Sequence, residues 1–213
     1  MKTKTTQTLL AAVILGTGLI SATGANAALI SRLGGLAVYD TDLNLTWLAN
    51  ANANGLMNWA AANTWASGLT VGGFSGWRLP ATPQPDASCG FQSGGVSYGY
   101  NCTGSEMGHL FYKELGGVAG QSITVTHNAN YGLFQNVQPN DYWSGTEYAP
   151  DTNYVWSFSF NDGGQSNFHK AGSLYALAVR PGDVAAGGSV PEPATLALLG
   201  MGLAGLGWAR RQR

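Results

Sequence analysis

Cys89 and Cys102, the histidines at 109, 127 and 169, and a thin set of carboxylates are the groups in this chain that could do chemistry. The two cysteines bracket "SCGFQSGGVSYGYNC". The alternative to a disulfide is a redox-active or metal-bound pair, and a spacing far from C-x-x-C argues against it. In an oxidising export compartment an even pair this close reads as a disulfide stapling a Gly/Ser/Tyr-rich loop. Loop closure of that size is worth roughly 3 kcal/mol in the entropy model. His109, His127 and His169 lack H-x-x-x-H or related ligand spacing, which argues against zinc. No serine stands in a recognisable triad context. Glu106, Asp141, Glu147, Asp151 and Asp162 could supply paired carboxylates for glycoside hydrolysis, but sequence does not bring any two of them to the separation needed.

Arg78 and Arg180 sit at or near prolines at strand ends. As site residues they would be anion clamps. The plainer expectation is structural: pairing with helix carboxylates such as Glu106 or with loop carbonyls. The surface expected to bind is the late-strand and loop region, namely Tyr142, Trp143, Glu147, Tyr148, Asn161, Asp162, Gln165, Asn167 and His169. Aromatic faces stack on sugar rings, while amides and carboxylates hydrogen-bond hydroxyls or hold Ca²⁺ through oxygen. Asn161 and Asp162 are a candidate calcium pair. The competing reading is a simple Asn-Asp-Gly-Gly hairpin turn, with no cofactor at all.

These groups need elements to hold them. Leu36, Val38, Leu43, Leu45 and Trp47 mark two short strands joined by "DTDLN". Asn58 is placed to cap a first helix whose Trp59, Ala62 and Ala66 share a face and which Gly68 stops. "VGGFSGWRLPAT" runs through glycines into a strand that Pro80 ends. In "TGSEMGHLFYKELGG", Thr103 and Glu106 have capping-box spacing, and Met107, Leu110, Phe111 and Leu115 form the stripe of a second helix. The last third, "DYWSGTEY", "NYVWSFSF" and "SLYALAVRP", reads as strands. Trp47, Trp59, Trp65 and Trp77 are expected in the core, whereas Trp143 and Trp156 fit either core or surface.

Both termini carry addresses. Lys2 and Lys4 precede an apolar Leu9–Ile20 run, and Ala25-Asn26-Ala27 has the form of a signal-peptidase site, so residues 1–27 read as a signal peptide cut between Ala27 and Ala28. At the other end Pro191, Glu192 and Pro193 precede an apolar run over 194–209, followed by Arg210, Arg211 and Arg213. Sixteen helical residues span about 24 Å, short of the ~30 Å hydrocarbon core, so the expected membrane helix is marginal. The arginines would lie on the cytoplasmic side and the bulk of the chain outside. The domains expected are therefore a folded unit over 28–183, a linker over 184–190 and a terminal segment over 191–213.

The overall formal charge of −1 hides an asymmetry. Five of the ten Lys and Arg lie in the terminal segments, leaving five to face ten of the eleven acids, since Glu192 lies in the terminal segment too. Such a chain repels phosphate backbones, and its basic residues are scattered, so nucleic-acid binding is excluded. Few charges beside abundant Trp, Tyr and Gly suit a compact, loop-rich domain.

"VPEPATLALLGMGLAGLGWARRQR" resembles the PEP-CTERM sorting tail. The resemblance implies processing by an exosortase, a Gram-negative host and a matrix of exopolysaccharide, with only transient membrane attachment. "AVYDTDLNLTWLANAN", "GGFSGWRLPAT", "GSEMGHLFYKELGG" and the segment from "YWSGTEY" to "LYALAVRPGD" resemble the bacterial Lcl-like C-terminal domain family, over nearly all of 35–183. Gly76 stands where that family often has Asp. The resemblance implies an α+β, C-type-lectin-like fold related to sulfatase-modifying factors: a small twisted antiparallel sheet, two helices and long loops. The related formylglycine-generating enzymes use a cysteine pair late in the domain, and no cysteine follows Cys102 here. The function expected is a non-catalytic module binding exopolysaccharide or a surface glycan. The alternatives are a structural matrix protein without a specific small ligand, and an enzyme on a lectin-like scaffold.

Overall fold

The computed structural model describes residues 29–185. The expected signal peptide, the cut at Ala27 and Ala28, most of the linker and the whole tail from Pro191 lie outside the described residues. Among the described residues no helix is long and apolar enough to cross a membrane.

The fold is α+β, with three small antiparallel sheets and two helices. The first sheet has the order β1-β2-β3-β9 and contains Leu29–Arg32, Ala37–Asp40, Leu45–Leu48 and Val179–Pro181. The chain therefore closes beside the strands that open it. The turn between β2 and β3 is built by Asp40, whose Oδ1 accepts from the amides of Asp42 and Leu43. An Asp that bonds the backbone two residues on makes its own turn, which is why "DTDLN" separates the strands as expected. The other carboxylate oxygen accepts from Trp47 Nε1.

Helix α1, Trp59–Gly68, starts where Asn58 Oδ1 accepts from Ala61 N at 2.9 Å, and it buries Ala62 and Ala66. The second helix differs from expectation at its start. Its cap is Ser105, whose Oγ accepts from Gly108 N, and not Thr103. Glu106 is then free of the capping-box role and turns outward to Arg78. After the single turn of α2, Glu106–His109, the chain continues as a π-helical turn over Leu110–Glu114. Met107, Leu110, Phe111 and Leu115 are all buried, as the stripe demands.

The second sheet, β4 (Phe91–Ser93) with β5 (Val96–Tyr98), is a hairpin inside the disulfide loop. The third has the order β6-β7-β8: Asp141–Glu147, Tyr154–Ser159 and Gln165–His169. Two apolar clusters flank β6. Tyr142 packs with Phe111, Phe158 and Phe160, while Trp143 packs with Met57, Trp77 and Val155. Successive side chains of a strand point to opposite faces, so β6 is buried on both. Trp143 Nε1 donates to Met57 O at 2.7 Å, satisfying the one polar atom that its burial would strand. Trp47, Trp77 and Trp156 are core, while Trp59 and Trp65 are partly buried against the second cluster.

Candidate functional site

The late-strand surface divides. Tyr142 and Trp143 are 0% exposed and Gln165 is 1% exposed, so none of the three is the surface contact expected of it. The cause is the covering of both faces of β6, which alternation along one strand does not reveal. Glu147 forms an ion pair with Lys170, whose ammonium also lies 4.5 Å from the Trp59 ring centroid. Tyr148 meets Trp156 edge to face, and His169 meets Tyr154 the same way. Glu147, Tyr148, Asn167 and His169 are therefore not brought to one concavity. Asn161 and Asp162 are.

An open cleft of about 710 Å³ lies where three elements meet. One wall is the stapled hairpin, with Tyr98 and Tyr100 standing 37% and 44% exposed. A second is the entry to β6, with Asn140 and Asp141, and the third is the β7–β8 turn with Asn161 and Asp162. The hairpin hangs on β8 by two backbone bonds, Gly99 N to Gln165 O at 2.9 Å and Gln165 N to Gly99 O at 2.8 Å. The Cys89–Cys102 disulfide, expected from the sequence, closes its base. Tyr112 ties the β7–β8 turn down, its hydroxyl donating to Gly163 O at 2.7 Å. Gly163 has φ +79° and lies so close to Tyr112 Oη that a Cβ there would sit 2.5 Å from it, so only glycine fits.

The Asn-Asp-Gly-Gly segment is the turn that its sequence implies: Asp162 Oδ1 accepts from Gly164 N at 3.0 Å. Its Oδ2 stays on the cleft side, 3.5 Å from Tyr100 Oη. Burial, then the Asp162 charge, pushes the Asp141 carboxyl above the usual range, partly offset by its bond with Ser159. The signal that sequence reasoning missed was in "GGVSYGYNC", where Tyr98 and Tyr100 alternate between glycines inside a staple.

Two other groups of candidate ligands exist among the described residues. Asp40, His109 and Glu114 bring one ligand atom each within 4.8 Å of one another. Here the π-helical turn places His109 Nε2 3.3 Å from Glu114 Oε1. Asp40 already serves its turn and Trp47, and burial followed by the Asp40 charge holds the Glu114 carboxyl up. Asp86 lies beside Cys89 and Cys102, whose sulfurs are consumed by the disulfide. Arg78 takes its structural role. Its guanidinium grips Glu106 through two 2.7 Å bonds, while Arg180 donates to Ser75 O and lies over the Phe74 ring. Gly76, between these groups, has φ +80°, a conformation that Asp would adopt only under strain.

A family model described as the Lcl C-terminal domain matches residues 36–180, more than half of the chain, and one described as the PEP-CTERM protein-sorting motif matches 189–211. No curated protein and no solved structure gives a significant match. The sorting motif marks an exported, exosortase-processed protein that is held at the membrane before processing.

Proposed function

The chain belongs to the Lcl C-terminal domain family, and from that premise we propose that its exported domain is a non-catalytic module binding extracellular polysaccharide or a surface glycan. The observation that carries this reading is the cleft, where two exposed tyrosines face amides and carboxylates across about 710 Å³. Sugar rings offer C–H faces to aromatic rings and hydroxyls to amide and carboxylate oxygens, and this lining supplies both. The rigid hairpin adds preorganisation, because a stapled platform loses little entropy when a ligand settles on it. We read the α+β layout, with its small sheets and long loops, as a C-type-lectin-like scaffold. The sorting tail supports a destination at the cell surface or in the matrix.

The test is a glycan array on the exported protein, followed by calorimetry with and without EDTA. Saturable binding that Tyr98→Ala and Tyr100→Ala each weaken supports the reading. An array without binders, together with self-association of the protein, overturns it in favour of a structural matrix role. Release of new reducing ends overturns the non-catalytic part and turns attention to Asp141 and Asp162.

A further inference from the structure

The lining of the cleft is unbalanced in charge. It contains Asp141 and Asp162 and no Lys, Arg or His. Four of the five Lys and Arg among the described residues are engaged elsewhere, and the fifth, Lys113, is exposed on the π-helical turn and is not part of the lining. Arg32 pairs with Asp183, Arg78 with Glu106 and Lys170 with Glu147, while Arg180 rests on Phe74 and Ser75 O. No basic side chain of the lining neutralises the two carboxylates. The second observation is independent of them. On another wall of the same cleft Tyr98 and Tyr100 stand 37% and 44% exposed, which gives a ligand held by the carboxylates an aromatic face to lie on. Gln165 belongs to the same lining but is 1% exposed, and its Nε2 donates to Ser97 O at 3.0 Å, so it takes no part in this contact.

Ionised carboxylates accept and do not donate. A ligand that satisfies them must bring donors, and preferably a positive charge. We propose that the cleft selects a cationic glycan, a polysaccharide carrying free amino groups, over its neutral and acidic counterparts. This rests on the glycan-binding reading above and adds the substrate class. An ammonium on the sugar makes charge-assisted bonds to Asp141 and Asp162, which are shorter and roughly twice as strong as neutral ones. The ring stacks on Tyr98 or Tyr100, whose faces also attract the cation. A uronate or sulfate at the same place would meet two like charges with no base to offset them.

The experiment is calorimetry of the exported protein, in EDTA, with three oligosaccharides of equal length: fully deacetylated chito-oligosaccharide, its N-acetylated form, and oligogalacturonate. The deacetylated form is expected to bind at least about tenfold more tightly than the acetylated one, with the advantage shrinking as salt rises. Asp141→Asn and Asp162→Asn should erase that preference, while Tyr98→Ala should weaken both forms alike. The Asn variants keep shape, and Asp162→Asn retains the oxygen that accepts from Gly164 N, so an unchanged circular dichroism spectrum is the folding check. Equal or tighter binding of the acetylated or acidic oligosaccharide overturns charge selection and leaves the glycan reading standing. Binding of oligogalacturonate that appears only on adding Ca²⁺ overturns it as well, because the carboxylates then hold a metal. Failure of all three to bind overturns this inference, and with an array free of binders it removes the glycan reading too.

Discussion

Replacing Glu106 with Ala would cut the tie between the "WRLP" segment and α2, and the structure sets the size of the loss. Glu106 Oε1 accepts from Arg78 Nη2, and Oε2 accepts from both Arg78 Nη1 and Ala81 N, each at 2.7 Å. Hydrogen bonds to a charged group are worth ~1.5–3 kcal/mol apiece, which would suggest a large sum. Side-chain exposure argues the sum down: Glu106 is 15% exposed but Arg78 is 39% exposed, so water rehydrates the freed guanidinium. What remains is the desolvated Ala81 N–H and a fraction of the ion pair, about 2–3 kcal/mol. For a domain of this size that lowers Tm by roughly 5–10 °C. Glu106→Gln keeps an oxygen for Ala81 N and should lose about half as much. Arg78→Lys gives up the fork and should cost about 1 kcal/mol. The assay is thermal and urea unfolding of the exported protein, closed by the Arg78/Glu106 double-mutant cycle, which should show a coupling of about 1 kcal/mol or more. A Glu106→Ala protein within about 0.5 kcal/mol of its parent would refute the reasoning, since that is the scatter of an ordinary surface change.

Gly108→Ala should abolish soluble expression, because its Cβ would lie 1.8 Å from the backbone oxygen of Cys102, whereas Gly68→Ala meets nothing within 4 Å and should shift Tm by only a degree or two in a melting scan. Intact mass before and after reduction should differ by two hydrogens, and the reduced protein should be about 3 kcal/mol less stable in urea; two alkylatable thiols in fresh material would contradict the staple. Glu114 and Asp141 are held above the ordinary carboxyl range, so each binds its proton more tightly folded than unfolded, and stability falls as pH rises from that range through the raised values. Glu114→Gln should flatten that part of a stability–pH curve. The opposite limb belongs to Asp183, held down by Arg32: its contribution is present above the ordinary range and is lost as pH falls through the lowered value. Glu192→Ala should leave an uncut, membrane-bound protein, and mass analysis of the released form from the native host should find "LGWARRQR" missing.

The sorting motif over 189–211 is a linear signal, and a linear signal is complete in the sequence: Pro-Glu-Pro, apolar run and arginines in order say what reads it. Elements whose causes are local were equally legible. Asn58 caps its helix, Asp40 makes its turn, Asp162 closes its hairpin, and the stripe from Met107 to Leu115 is buried, because each depends on residues within a few positions. The Arg78–Glu106 tie was one of the structural roles expected for Arg78, a helix carboxylate or a loop carbonyl, because the guanidinium fork fits a carboxylate. Thr103 against Ser105 shows where local rules run out, because two hydroxyls compete for one helix start and the demand of Arg78 for Glu106 lies far away along the chain. The burial of Tyr142 and Trp143 was beyond sequence reading for a geometric reason. Alternation sorts a strand into two faces but says nothing of what covers each, and here different clusters cover both. The cleft is likewise a product of topology. Tyr98, Asp141 and Asp162 are distant in the chain, and they meet only because the stapled hairpin pairs with β8 through Gly99 and Gln165.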